Sequence, residues 1–235
     1  MAGVSSRVTP IVALDVPDAR SATRLVDDLG DSCTFYKVGS ELFTAAGPGI
    51  VAAVRERGAS VFLDLKFHDI PNTVRGAVRS AAALGAQLLT VHVSGGLAML
   101  EAAVEAAGEA GGCDVLGVTI LTSLDGPAVA DVWGRDVPDM PAEVMRLAQL
   151  AVRARLHGIV CSGAEAGAVR ARFGERLATL VPGIRLAGGE HQDQARVVTP
   201  RTAAEAGARY IVLGRAVTAA RSPRQAMEAV LSDLP

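Results

Sequence analysis

The feature that most constrains the fold is an alternation running the length of the chain. Eight short strand-like segments, TPIVALDV, TFYKVG, SVFLDLK, QLLTVHVS, DVLGVTIL, GIVCSG, LATLVPGI and RYIVLGRA, are separated by alanine-rich amphipathic stretches such as ARSATRLVDDLG and GLAMLEAAVEAAGEAGG. Many of these stretches end in glycine, as helix C-caps do. Strands alternating with helices eight times over predict an α/β fold, a closed parallel (β/α)₈ TIM barrel. An open doubly wound sheet is the alternative, but it usually has fewer repeats. The chain has 235 residues, half of them hydrophobic, which is ample for one large core. No shift in composition marks a second unit, so residues 1–235 are read as one domain.

Composition also excludes several functions. A formal net charge of −2 gives no general affinity for nucleic acid or for an anionic membrane, so any anion site must be local. The N-terminal MAGVSSRVTP lacks the apolar segment of a signal peptide. No run approaches the roughly 18 uninterrupted apolar residues of a membrane span. Cys33, Cys113 and Cys161 are far apart and form no C-x-x-C, which suits reduced core cysteines in a cytoplasmic protein.

Charged residues then stand where barrel strands should end. In DLKFHDIPNT, Asp64 and Lys66 close the third strand and share a face by strand alternation, with Asp69 beyond them and Pro71 and Asn72 opening a turn. Asp15 ends IVALD and Lys37 sits in FYKVG, so Asp15, Lys37, Asp64 and Lys66 come from three neighbouring strands and converge at the catalytic end of a barrel. The plainer reading is a layer of structural ion pairs, with Asp15 as a helix cap. For all four together that reading is weak, because desolvating several charges seldom raises stability. Two polar, Gly-rich loops, at 123–141 and at 186–193 (LAGGEHQD), also follow strands and so fall on the same end.

These residues carry a resemblance. DLKFHDIPNT resembles the signature of orotidine 5′-phosphate decarboxylase, and so, in family order, do ALDV, YKVG, VTILTS, VPGIR, DQARVVTP and VLGRAVT over essentially the whole chain. The resemblance implies a cofactor-free, metal-free enzyme that converts orotidine 5′-phosphate to UMP in pyrimidine synthesis and works as a homodimer. It implies that Asp15 binds a ribose hydroxyl and that Lys37, Asp64 and Lys66 form a charged network completed by Asp69 of the partner subunit. Lys66 would deliver a proton to C6 of the pyrimidine. Thr122 would contact the ring, and Ile70 and Thr73 would reach the partner's site. Arg185, Gln194, Gly214 and Arg215 would hold the 5′-phosphate. The family usually continues PGIRP, whereas here Leu186 follows Arg185, which puts the course of that loop in question.

Elementary chemistry supports such a site. Loss of CO₂ from a ring carbon without an electron sink leaves a carbanion, which fixed electrostatics can stabilise. An ammonium held between carboxylates is an acid placed to quench it. Asp64 beside a substrate carboxylate would disfavour the ground state. A remote phosphate can hold the substrate in position and drive loop closure. Magnesium-dependent sugar-phosphate enzymes share D-x-K-x-x-D but typically carry a metal-binding Glu where this chain has Lys37. A non-catalytic phosphate-binding barrel would need Gly214 and Arg215 but not the charged cluster. Of the histidines, His68 reads as a structural hydrogen bonder, and His92, at the end of the fourth strand, reads as a satisfied core histidine ahead of one that lines the site. His157 and His191 read as surface or loop residues, and none has metal-ligand spacing. Trp133 reads as a loop anchor, and AVRARFGERL as an ordinary solvated helix face.

Overall fold

A computed structural model describes residues 8–186 and 198–235. The strands are β1 (Thr9–Ala13), β2 (Phe35–Gly39), β3 (Ser60–Phe67), β4 (Leu88–His92), β5 (Asp114–Val118), β6 (Gly158–Val160), β7 (Ala178–Val181) and β8 (Tyr210–Leu213). Each of the eight strand-like segments therefore supplies one strand. All pair in parallel in chain order, and β1 bonds to β2 on one side and to β8 on the other, which closes the barrel and excludes the open sheet. Between the strands run α1 (Ala19–Leu29), α2 (Ser40–Ala46), α3 (Gly49–Arg55), α4 (Pro71–Ala83), α5 (Leu97–Glu109), α6 (Gly126–Trp133), α7 (Met140–Arg153), α8 (Gly163–Phe173) and α9 (Pro200–Glu205). After β8 come α10 (Arg215–Thr218) and α11 (Pro223–Asp233).

Local chemistry sets the boundaries. Asp18, not Asp15, caps α1: its Oδ1 accepts the Ser21 backbone N–H at 2.7 Å. That leaves the Asp15 carboxylate available to the site. The polar stretch 123–141 is not a loop throughout, since it contains α6 and the start of α7. Asp125 caps α6 by accepting the Ala128 N–H at 3.0 Å, Pro127 occupies its first turn, and Gly134 ends it in the left-handed region at φ 63°. Asp-Gly-Pro, legible as a turn, here acts as a helix start.

Strand alternation divides the apolar side chains into two cores. Outward-facing residues such as Val12, Leu14, Val61 and Leu63 pack against the helices in one large cluster. Inward-facing Ile11, Ala13, Phe62, Leu88, Leu116, Leu180, Tyr210 and Val212 fill the barrel itself. The inward phase fixes the site. Two residues beyond Ala13 is Asp15, and two beyond Phe62 is Asp64, so the barrel filling passes into charge at its C-terminal end.

Barrel closure at β6 depends on a glycine. A Cβ on Gly158 would lie 2.4 Å from the Ala178 carbonyl oxygen, a backbone atom of the neighbouring strand. We predict that Gly158→Ala lowers stability by about 1–3 kcal/mol, the usual cost of overpacking. A urea melt with unchanged slope and a lower midpoint is the expected result.

Candidate active site

A cavity of about 240 Å³ opens at the C-terminal end of the strands. Its floor is apolar, built from Ala13, Phe62, Val118, Val160, Leu180 and Val212. Asp15, Lys37, Asp64 and Lys66 stand on one side of it, Ile120 and Thr122 on another, and Arg185 and Gly214 on a third. Lys37 comes from β2, and Asp64 and Lys66 from β3. Asp15 lies just past β1.

The four charges form an unbroken chain. Lys37 Nζ lies 2.8 Å from Asp15 Oδ1 and 3.7 Å from Asp64 Oδ2, and Lys66 Nζ lies 2.8 Å from that same Asp64 oxygen. The two inner side chains are largely withdrawn from solvent, Lys37 at 11% exposure and Asp64 at 13%, whereas the Asp15 side chain is 59% exposed. Gly39 makes room for this chain. A Cβ there would lie 3.0 Å from Lys37 Nζ and 3.4 Å from Asp15 Oδ1.

Lys66 reaches the cavity through an irregular backbone. It is one of two non-glycine residues with positive φ among those described, at 50°, a conformation costing roughly 1–2 kcal/mol for an L-residue. The β3–β4 register passes from Leu63↔Leu89 directly to Phe67↔Val91, so β3 advances four residues while β4 advances two. Such a bulge re-aims side chains at a strand end. Simple alternation therefore brings Asp64 to the cavity, whereas Lys66 joins it through the bulge.

Thr90 on β4, not singled out from the sequence, holds this arrangement. It is fully buried, accepts the Lys66 backbone N–H at 2.9 Å and donates its hydroxyl to Asp64 Oδ1 at 3.0 Å. Its only signal in the sequence is a hydroxyl inside the apolar run LLTVH. Asp64 thus meets Thr90 through one oxygen and both lysines through the other.

The other expected residues divide between the cavity and its surroundings. Asp69 is exposed, does not line this cavity, and accepts the Ile70 backbone N–H at 2.6 Å. Ile70 is 67% exposed, and Thr73 is exposed on the first turn of α4. Arg185 lines the cavity and donates to the Ile184 carbonyl at 3.1 Å. No atom lies within 4 Å of a Cβ built on Gly214, so its backbone faces open space. Arg215 is exposed at the start of α10, beside the cavity rather than in its lining. Gln194, His191 and all of loop 186–193 beyond Leu186 lie outside the described residues.

His68 and His92 do not line the charged cavity. They face each other with ring centroids 5.5 Å apart in an adjoining pocket that includes Trp133. Burial, and then the charges of His68 and Lys66, hold the His92 imidazole below its ordinary pKa. Trp133 ends α6 rather than anchoring a loop, with the Arg135 guanidinium 5.1 Å from its ring centroid. The three cysteines are buried and unpaired, and burial pushes the Cys113 thiol up to about 12. Among the described residues no His, Cys, Asp or Glu cluster could hold a metal, and no helix is long and apolar enough to cross a membrane.

Comparison with known proteins points one way. The profile of the "Orotidine 5'-phosphate decarboxylase / HUMPS family" matches residues 9–230. The orotidine 5′-phosphate decarboxylase of Dichelobacter nodosus is 46% identical over 225 residues, covering 95% of this chain and 97% of that protein. That of Pseudomonas putida is 44% identical over 234 residues, covering 98% and 99%. The crystal structure of orotidine 5′-phosphate decarboxylase from Lactobacillus acidophilus superposes with a TM-score of 0.85 at 34% identity, covering 97% of this chain and 98% of that one.

Because Thr90 serves two buried partners at once, Thr90→Val is expected to cost about 1–3 kcal/mol, leaving the Lys66 N–H and one Asp64 oxygen unsatisfied. Chemical denaturation measures this. Thr90→Ser, which keeps the hydroxyl, is expected to recover most of it.

Proposed function

The chain belongs to the orotidine 5′-phosphate decarboxylase family, a family of carboxy-lyases, and from that premise we propose that it converts orotidine 5′-phosphate to UMP in pyrimidine biosynthesis without a cofactor. The observation that carries this reading is the Asp15–Lys37–Asp64–Lys66 chain above an apolar floor. In the proposed reaction the bond between C6 and the carboxylate breaks, its electron pair stays on C6, and CO₂ leaves. The Lys66 ammonium then gives its proton to C6 and becomes an amine.

Each charge has a task in this scheme. Asp64 places negative charge beside the substrate carboxylate, a repulsion that disappears as CO₂ departs. The Lys66 ammonium stabilises the developing carbanion before protonating it, with little reorganisation because Asp64 already orients it. Lys37 keeps Asp64 in place and joins it to Asp15, whose exposed carboxylate can accept from a ribose hydroxyl. Thr122 would meet the pyrimidine, while Arg185, Gln194, Gly214 and Arg215 would hold the 5′-phosphate. The outward course of Asp69, with exposed Ile70 and nearby Thr73, supports a homodimer in which these residues complete the partner's site, and the three buried, unpaired cysteines suit a cytoplasmic setting. We take residues 1–235 to act as one catalytic domain.

Mixing the purified protein with orotidine 5′-phosphate should shift the substrate's ultraviolet band to that of UMP, and exhaustive EDTA treatment should leave the rate unchanged. A rate lost with EDTA and restored by magnesium would instead support the sugar-phosphate alternative.

Single substitutions separate chemistry from binding. Lys66→Ala should lose about 10²–10⁴-fold or more in turnover while still binding UMP, since the proton donor is gone but the ribose and phosphate contacts remain. Arg215→Ala should instead weaken phosphate-bearing ligands by about 1.5–3 kcal/mol, the range of a hydrogen bond to a charged group. Near-normal turnover in the Lys66 variant would reject the assigned proton donor.

The dimer has its own test. Equal amounts of Lys66→Ala and Asp69→Asn chains, allowed to exchange, should regain roughly a quarter of native activity from two inactive proteins, because each mixed dimer contains one intact site. Exchange confirmed by mass spectrometry with no recovered activity would place Asp69 in its own chain's site.

A further inference from the structure

A closed circuit of polar contacts begins and ends on Lys66. Its backbone N–H donates to Thr90 Oγ1 at 2.9 Å, and the Thr90 hydroxyl donates to Asp64 Oδ1 at 3.0 Å. The other oxygen of that carboxylate, Oδ2, lies 2.8 Å from the Lys66 ammonium. The amide can only donate and the carboxylate only accept, which leaves the hydroxyl between them a single arrangement.

Thr90 is itself held firmly. It is 0% exposed and lies on β4 two residues beyond Leu88, in the inward phase of the barrel. Its branched Cβ makes χ1 stiff. The β3–β4 register passes from Leu63↔Leu89 to Phe67↔Val91, so Thr90 alone stands opposite residues 64–66 of β3. Across that bulge the Lys66 N–H bonds to a side chain, with the residue at φ 50°. The Lys66 side chain is 35% exposed, so packing by itself does not fix where its ammonium sits. The circuit fixes it at both ends.

We propose that Thr90 is a positioning residue for the proton donor, an inference that rests on the decarboxylase reading. It aims Asp64 Oδ2 and anchors the bulged backbone, so that the Lys66 ammonium stands at C6 when CO₂ departs. Thr90 does not line the cavity, so it acts on turnover through Asp64 and Lys66 and not on affinity through the substrate. Without the hydroxyl, the carboxylate is free to rotate and the bulge to relax toward negative φ, and either change moves the ammonium. Misplacing a reacting group by about 1 Å can cost on the order of 10²-fold in rate.

Turnover of orotidine 5′-phosphate and calorimetric binding of UMP test this, on the wild type, Thr90→Val, Thr90→Ser, Lys66→Ala and the Thr90→Val/Lys66→Ala double variant. Assays run below the melting temperature of every variant, and the UMP stoichiometry counts the folded sites. Per folded site, Thr90→Val is expected to lower kcat about 10- to 100-fold, with KM and UMP affinity changed by less than about threefold. Thr90→Ser should recover most of the lost kcat. In the Lys66→Ala background, Thr90→Val should remove a much smaller fraction of the residual rate, because the donor it aims is gone. Should Thr90→Val fail to fold, Thr90→Cys, whose thiol is a weaker donor and acceptor, carries the same expectation. An unchanged kcat per folded site, a loss confined to KM, or equal fold-losses with and without Lys66 would each overturn the proposal. A wild type that does not turn over orotidine 5′-phosphate would overturn the decarboxylase reading itself, and this proposal with it.

Discussion

The site depends on one carboxylate. Asp64 is nearly withdrawn from solvent, and an isolated charge there would be costly to bury. It persists because Lys37, Lys66 and the Thr90 hydroxyl all converge on it. Removing any one partner exposes the cost of the rest, so the cluster acts as a unit. The same argument explains the strained Lys66 backbone. Its N–H is held by Thr90 and its ammonium by Asp64, two fixed points that together over-determine an unfavourable φ.

The barrel supplies the setting that makes such a cluster useful. Inward residues of six strands form the apolar floor, which excludes water from below and lowers the local dielectric. Charges placed on such a floor would act on a bound substrate more strongly than in water, and would need little reorganisation. The large outer core between strands and helices carries the stability that a charged site does not provide. The charged groups are thereby concentrated at the strand ends, while packing is handled elsewhere.

Much of this was legible in the sequence, for definable reasons. The eight strands are visible because each is a short apolar run bounded by turn or helix signals. Asp15, Lys37 and Asp64 are visible because charge is out of place in such runs. What stayed hidden depends on contacts between strands. The β3–β4 bulge cannot be read from β3 alone, so alternation placed Lys66 correctly by an incomplete route. Thr90 looks like ordinary strand composition until β4 is set beside β3. Gly39 looks like a turn glycine until the Lys37–Asp15 pair is seen against it. Asp-Gly-Pro signals turns and helix starts alike, which is why α6 read as loop. The arginines of AVRARFGERL have helical spacing and polar character, and only the closing of the barrel brings Arg209 and Thr179 toward them.

The two ends of the barrel differ in how their charges are arranged. At the C-terminal end, acids and bases alternate, so each charge is matched by its neighbour and the cluster needs no ligand to be satisfied. At the N-terminal end, Arg170 pairs with Glu175, and His157 is set between Asp114 and the Tyr210 hydroxyl. A satisfied cluster is suited to catalysis, because its geometry is set before substrate arrives and little energy is lost to rearrangement. The barrel filling lies between them, apolar at Ile11, Phe62, Leu88, Leu116, Leu180 and Val212, with the Tyr210 hydroxyl turned to His157.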